Sequence, residues 1–357
     1  MKIGIPKEGN DNRVAMVPVT MKKIKSEDVI FLVEKGAGEK ASLPDATYTD
    51  LATVTDRATI FKDADIILTV NPLPETELSI IEKGTLLISM FAPYFDDSIT
   101  EKLKDHGLQG VSMDMIPRTS LAQSMDILSS MAAIAGYKAV LTAASYLPRY
   151  FPMMITAAGS IRPAKVLILG AGVAGLQAIA TARRLGAMVE AFDVRKAAKE
   201  EVESLGAKFV EVEGAADDST AGGYAVAQSE EFIKKQQAEV QNRAAKADVI
   251  ITTAQVRGRK APILLSKETV DKMKTGSVVI DLASSTGGNC ELSKDNEIVI
   301  HNGINIIGNS ALASDMPQDA STLFSNNILN FLKLIIKDGA IVLDKENEII
   351  KSALITG

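Results

Sequence analysis

The sequence is poor in the residues that staple small proteins or bind metals. Its one cysteine, Cys290, has no partner for an internal disulfide. Its two histidines, His106 and His301, stand far apart with no cysteine or histidine beside them, so neither a disulfide framework nor a zinc or other metal site is expected. Long basic runs are lacking too. Lysine and arginine total 39 against 45 acidic residues, a net charge of −6, which leaves no footprint for a polyphosphate backbone and argues against nucleic acid as a partner. Residues 1–8, MKIGIPKE, carry no apolar core of signal-peptide length and read as a first strand, so a cytoplasmic location is expected. The most apolar stretch, 131–147, is interrupted by Gly136 and Lys138 and falls short of the roughly 18 uninterrupted apolar residues of a membrane span. A buried helix is expected there. Low-complexity tracts and fixed-period repeats are also missing.

What is present is ordinary globular material, 46% hydrophobic and 24% charged over 357 residues, a length that suggests about two domains. Residues 2–6, 29–33, 66–70, 85–90 and 110–113 read as strands, and 20–26, 59–62 and 98–106 carry helical spacing. A second series of strands follows at 165–169, 188–192, 208–212, 249–253, 277–282 and 304–307, the progression of a nucleotide-binding sheet. Two long helical segments, 124–145 and 319–337, bracket it. The stretch after 312 holds too few strands for a domain of its own, so it is expected to return to the first. The expected fold is α/β: two Rossmann-like parallel-sheet domains separated by a cleft and bridged by long helices. The first domain takes 1–128 and 312–357, an inserted dinucleotide-binding domain takes 138–311, and 124–145 is the bridging helix.

One motif carries most of the information. After the strand ending at Leu169 comes Gly170-Ala171-Gly172-Val173-Ala174-Gly175, which leads into a helical run. In this G-x-G-x-x-G, Gly170 permits the tight turn, Gly172 lets the backbone approach a pyrophosphate, and Gly175 allows the helix to pack closely. Asp193 ends the next strand, where a carboxylate accepts hydrogen bonds from the ribose hydroxyls of NAD and repels the 2′-phosphate of NADP. Arg195, two residues on, is of the type that accommodates such a phosphate. With the acidic residue in the ribose position, NAD is favoured, and a solvated Arg195 or one stacked on adenine remains equally open.

Residues 116–140, IPRTSLAQSMDILSSMAAIAGYKAV, closely resemble the NAD(H)-binding component, domain I of the alpha subunit, of proton-translocating NAD(P) transhydrogenase, a family related to alanine dehydrogenase. The resemblance extends to Gly4-Ile5-Pro6-Lys7-Glu8 with Arg13-Val14-Ala15, to GAGVAGL with Phe192-Asp193-Val194-Arg195, and to Gly222-Gly223-Tyr224-Ala225. It continues through Thr252-Thr253-Ala254, Gly287-Gly288-Asn289-Cys290 and the 317–321 region. It implies direct hydride exchange between NADH held here and NADP held by a partner component, coupled to proton movement through a membrane-spanning component. It also implies a homodimer lying peripherally on the cytoplasmic side of the inner membrane. By resemblance, Arg118, Gln123, Asp126 and Ser129 hold the dihydronicotinamide. The glycine turn, Asp193, Val194, Arg195, Thr253 and Ala254 hold the rest of the cofactor. Residues 214–225 form a loop that closes over it, with Tyr224 nearby.

The residues themselves allow other readings. Ser120 and Gln123 have the spacing of a helix capping box, and Leu121 stands where the family commonly has a basic residue. An enzyme like alanine dehydrogenase, acting on its own small substrate, needs a general acid/base. The related dehydrogenases carry a lysine and a histidine where this chain has Thr69 and Ser89. Arg13 is kept, but an arginine alone cannot shuttle protons at neutral pH. A third reading, an NADH-sensing module that regulates a partner, is opposed by the retained Arg118–Ser129 set.

Overall fold

Apolar runs such as Ile66-Ile67-Leu68 and Val249-Ile250-Ile251 become strands buried on both faces, as parallel sheets require. The computed structural model describes residues 1–24, 29–211 and 230–356. The chain divides into two units, one of residues 1–131 and 313–357 and the other of residues 132–312.

In the first unit six strands form one sheet: β1 (Lys2–Ile5), β2 (Ile30–Glu34), β3 (Ala52–Thr55), β4 (Ile66–Leu68), β5 (Leu86–Ser89) and β6 (Gln109–Ser112). Their order is β3-β2-β1-β4-β5-β6 and every pairing is parallel. The short edge strand β3, with Thr53 and Thr55 among its four residues, has no apolar run and carries little sequence signal. Helix Arg57–Asp63 starts where Asp56 accepts the Thr59 N–H at 2.9 Å, a cap worth about 1 kcal/mol. It lies so close to β1 that a methyl group on Gly4 would sit 2.5 Å from Ile60. The carboxyl-terminal helix Pro317–Ile335 belongs to this unit. Two of its buried serines, Ser321 and Ser325, accept the backbone N–H groups of Val14 and Val17 at 2.9 and 3.1 Å. Those amides would otherwise be orphaned in an apolar setting.

In the second unit a small hairpin, β7 (Met154–Thr156) and β8 (Gly159–Ile161), precedes a seven-stranded sheet. Its members are β9 (Lys165–Leu169), β10 (Met188–Phe192), β11 (Lys208–Phe209), β12 (Val249–Thr252), β13 (Val278–Asp281), β14 (Glu297–His301) and β15 (Ile304–Gly308). The order is β11-β10-β9-β12-β13-β15-β14, so six strands run parallel in the doubly wound arrangement and β14 closes the edge antiparallel to β15. Strand β14 is absent from the strands expected from sequence although Ile298-Val299-Ile300 is a β-branched run; it reaches β15 through the tight turn at Asn302-Gly303.

Helix Ile127–Tyr146 is 20 residues long and, by length and composition alone, apolar enough to cross a membrane. The expected interruptions, Gly136 and Lys138, lie within it. Its residues Ala135, Ala139, Val140 and Ala143 are packed into the core of the second unit with Ile168, Ala178 and Ile179, which makes it a core helix. Gly136 is what lets it approach: a methyl group there would fall 2.1 Å from the Ala174 carbonyl oxygen.

Candidate dinucleotide site

The glycine turn is built as its spacing requires. Gly170 leaves β9 with φ +106°, a left-handed value, and a side chain there would meet Thr253 Oγ1 at 2.5 Å. That hydroxyl donates back to the Gly170 carbonyl at 3.0 Å. Gly172 begins the helix Val173–Arg184, and an added methyl would meet no protein atom within 4 Å. Gly175 is the opposite case, with its α-carbon so close to the turn that a methyl would lie 1.8 Å from the Gly170 oxygen. The result is a helix amino terminus with exposed Gly172 and Val173, whose first N–H groups meet no capping side chain because the capping position is glycine. Helix dipole and N–H groups together favour an anion there, and the open space at Gly172 fits a pyrophosphate.

Asp193 closes one side of the turn. Its Oδ2 accepts the Ala171 N–H at 2.7 Å, and its Oδ1 accepts the Arg195 N–H at 2.8 Å. The Arg195 guanidinium returns over the same carboxylate, Nε to Oδ1 at 3.0 Å and Nη2 to Oδ2 at 3.1 Å. Val194 between them is exposed. On the other side, Ala254 is fixed by Asn289, whose side chain accepts the Ala254 N–H at 2.9 Å and donates to its carbonyl at 2.8 Å. Asn289 is positioned in turn by Asp281 at the end of β13. This carboxyl group is fully buried and accepts from Thr252 Oγ1, Ala283 N, Asn289 N and Cys290 N at 2.8–3.0 Å. Asp281 and Asn289 are supports that sequence reading did not single out as site residues. The available signal was only a strand-end aspartate followed by Gly287-Gly288-Asn289.

Arg118, Gln123, Asp126 and Ser129 lie in the first unit. No capping box forms at Ser120 and Gln123, because the long helix starts later, at Ile127. Asp126 does the capping: Oδ1 accepts the Ser129 N–H at 2.9 Å and Oδ2 the Ser129 hydroxyl at 2.6 Å. Arg118 is largely exposed and reaches to 3.9 Å from Asp126 Oδ2, while Gln123 and Leu121 are exposed. The structure thus brings Arg118, Asp126 and Ser129 together. The expected closing loop 214–225, with Tyr224, lies outside the described residues.

The first unit holds a second polar cluster that the sequence did not announce. Arg13 forks onto Asp11, Nε to Oδ1 at 2.9 Å and Nη2 to Oδ2 at 2.6 Å, and its Nη1 meets Met131 Sδ at 3.1 Å. Burial alone would push the Asp11 carboxyl up, but the hydrogen bonds and charge of Arg13 outweigh it and hold it well below the usual carboxylate range. Glu8, also buried, accepts the Val70 N–H at 2.6 Å and faces Asn71. Desolvation pushes it up to about 7 despite those bonds. A carboxyl whose pKa is higher in the folded state stabilises the fold at low pH, and that contribution is lost as pH rises from its ordinary 4.5 through about 7. The loss is about 3 kcal/mol at 1.36 kcal/mol per unit. Urea unfolding of the wild type should therefore show a lower midpoint above that window, at roughly pH 8.5, than near its lower end, at roughly pH 5. Glu8→Gln should remove most of that difference. Equal pH dependence in the two proteins would place its origin elsewhere.

Comparison with known proteins fits this geometry. Residues 4–135 match the alanine dehydrogenase/PNT N-terminal domain and residues 139–357 the alanine dehydrogenase/PNT C-terminal domain. An NAD(P) transhydrogenase alpha-subunit chain of Rhodospirillum rubrum is 46% identical over 93% of this chain and 89% of its own length. The alpha subunit of Cereibacter sphaeroides is 44% identical, covering all of this chain and 70% of that protein. Among solved structures, a transhydrogenase from Sinorhizobium meliloti superposes with a TM-score of 0.90 at 41% identity, covering 99% of this chain and 98% of the other. An L-alanine dehydrogenase superposes at 0.80 with 25% identity over 99% and 94%. The chain belongs to the alanine dehydrogenase/PNT family of oxidoreductases, on the side of the NAD(P) transhydrogenase alpha subunits.

Proposed function

We propose that this chain binds NAD(H) and exchanges hydride directly with NADP held by a partner component, the exchange being coupled to proton translocation by a membrane-spanning component. The observation that carries the reading is the glycine turn, with its open space at Gly172, a helix amino terminus facing it and Asp193 held beside it by the Ala171 amide. Bound there, the nicotinamide ring would supply the hydride chemistry. The chain's own residues bind and orient: the turn amides take the pyrophosphate, Asp193 takes ribose hydroxyls, and Thr253 and Ala254 form the wall opposite. Arg118, Gln123, Asp126 and Ser129 would hold the nicotinamide end, where a ring that alternates between neutral and cationic needs a nearby charge and no proton donor. Asp126, restrained by Ser129, supplies such a charge. In this reading the protein works as a homodimer attached peripherally at the cytoplasmic face of the membrane.

The rival, amino-acid dehydrogenation, finds little support in the polar groups near the first sheet. Arg13 is committed to Asp11 and its guanidinium is buried. Thr69 and Ser89 are buried and neither side chain is a lysine or histidine that could shuttle a proton, the Ser89 hydroxyl donating to the Val70 carbonyl. The test is reduction of acetylpyridine-NAD by NADPH with this protein and a transhydrogenase NADP-binding component together, beside a pyruvate-plus-ammonium control with NADH. Transfer requiring both proteins, with a silent control, is expected; the reverse pattern would make the chain a free-standing dehydrogenase. In the same assay Asp126→Asn should slow transfer at least about tenfold, some 1.4 kcal/mol of barrier. Unchanged turnover would remove Asp126 from the mechanism.

A further inference from the structure

The segment that carries Arg118, Gln123 and Asp126 is held from a distant part of the chain. Residues 117–126 form no strand, only short turns that close on themselves, the Ala122 N–H on the Thr119 carbonyl at 3.1 Å and the Met125 N–H on the Ala122 carbonyl at 2.8 Å. Ala122 and Met125 are buried, whereas Gln123 and Ser124 are exposed. Among the described residues, the hydrogen bonds that tie 117–125 to another element converge on one atom, the Ser124 carbonyl oxygen. It accepts from Asn327 Nδ2 at 2.9 Å and from Asn330 Nδ2 at 3.1 Å, so both of its lone pairs are used. The two asparagines stand three residues apart on helix Pro317–Ile335, hence on one face, and they share the first unit with Ser124. Packing does not account for Asn327. Asparagine is a weak helix former, and Asn327 is 6% exposed with an Oδ1 that accepts no hydrogen bond among the described residues. A buried acceptor without a donor is costly, and an apolar side chain would avoid that cost. The half of the amide that is used is the half that reaches Ser124.

We propose that Asn327 and Asn330 are positioning residues for hydride transfer: their amides hold the Ser124 carbonyl, and with it the backbone that presents Gln123 and Asp126 to the nicotinamide. The proposal rests on the reading of the Arg118–Ser129 set given above. Gln123 immediately precedes Ser124 and Asp126 follows two residues on, so a backbone free to swing at this peptide would displace both at once. Asp126 is tied on its other side to Ser129 in the first turn of helix Ile127–Tyr146. The clamp at Ser124 therefore completes a span fixed at both ends. Hydride transfer needs the ring held at a reacting distance, and a misplacement of about 1 Å can cost about a hundredfold in rate. Affinity drawn from the turn amides and the ribose contacts does not depend on that span, so loosening the clamp should slow the reaction more than it weakens binding.

The test is steady-state reduction of acetylpyridine-NAD by NADPH with the NADP-binding component, beside NADH calorimetry and urea unfolding of the whole chain. Asn327→Ala/Asn330→Ala should bind NADH within about twofold of the wild type, with kcat at least about tenfold lower and KM for acetylpyridine-NAD nearly unchanged. Asn330→Ala should lose at least about threefold in kcat. Asn330→Asp, with the same outline and no donor, should be as slow. Asn330 is half-buried, so its variants decide the matter if the double variant folds poorly. A folded double variant with wild-type kcat, or Asn330→Asp at the wild-type rate, overturns the proposal and leaves the NAD(H)-binding reading standing. So does a KM that rises as far as kcat falls, or a rate lost only in proportion to the unfolded fraction. A wild type that binds NADH and transfers nothing with the NADP-binding component overturns the parent reading and the proposal with it.

Discussion

Gly175→Ala is expected to abolish measurable NADH binding, a loss of at least about a hundredfold or 2.7 kcal/mol, and to destabilise the second unit by about 3 kcal/mol or more. The added methyl would have to occupy a point 1.8 Å from the Gly170 carbonyl oxygen. Overpacking usually costs about 1–3 kcal/mol because side chains can shift. Here the obstacle is backbone, and the carbon bonded to that carbonyl oxygen is itself only 2.8 Å away. The helix must therefore move off β9, taking the anion-facing N–H groups with it. Gly172→Ala separates binding from folding, since its methyl meets no protein atom within 4 Å. That variant should unfold like the wild type in urea yet bind NADH at least about tenfold more weakly. Unaltered binding by Gly172→Ala would mean that the pyrophosphate does not pass there.

Asp281→Ala should be the most damaging single change at a site that contacts no cofactor. It leaves three backbone N–H groups, of Ala283, Asn289 and Cys290, without their acceptor in a fully buried setting, while the Thr252 hydroxyl can rotate away. At about 1–3 kcal/mol for each orphaned group, the loss should exceed about 4 kcal/mol. Asn289 would then be released and with it the Ala254 wall, so whatever folded protein remains should bind NADH more weakly. Asp281→Asn should be milder, because it keeps one oxygen for two of the donors. A small effect on stability from Asp281→Ala would mean that water or a shift of the 283–290 segment replaces the carboxyl group.

The sequence was most legible where one local constraint decides the structure. The glycine turn could be read from spacing because each glycine answers a demand made within its own strand–turn–helix, and the buried strands because parallel sheets need unbroken apolar runs. Legibility failed where the partner is distant in the chain. Glu8 depends on the amide of Val70, 62 residues on, and Asn12 on Ser314, 302 residues on; no pattern in residues 1–15 announces either. It also failed where two structures share one signature. Ser120 with Gln123 has capping-box spacing, but Asp126 with Ser129 has it too, and only the actual start of the helix at Ile127 decides between them. The conduct of Arg195 lay between these cases: its proximity to Asp193 was visible, whereas its commitment to the pair depends on how the chain turns after Phe192.

Cys290 gives the protein a clock of its own. The thiol is buried in the apolar layer with Leu167, Ile250 and Val279, and burial pushes it up to about 11, so at neutral pH it is almost entirely protonated and shielded from thiol reagents. Since the chain has no other cysteine, modification by a disulfide reagent reports the opening of this layer, as an open population when reclosing is fast and as an opening rate when reagent is in large excess. A dinucleotide that binds only the closed sheet should lengthen the modification time by the inverse of the unliganded fraction, about twofold at half occupancy. Leu121→Cys, at an exposed position, would react at once and without background, leaving one position to be watched while the other keeps time.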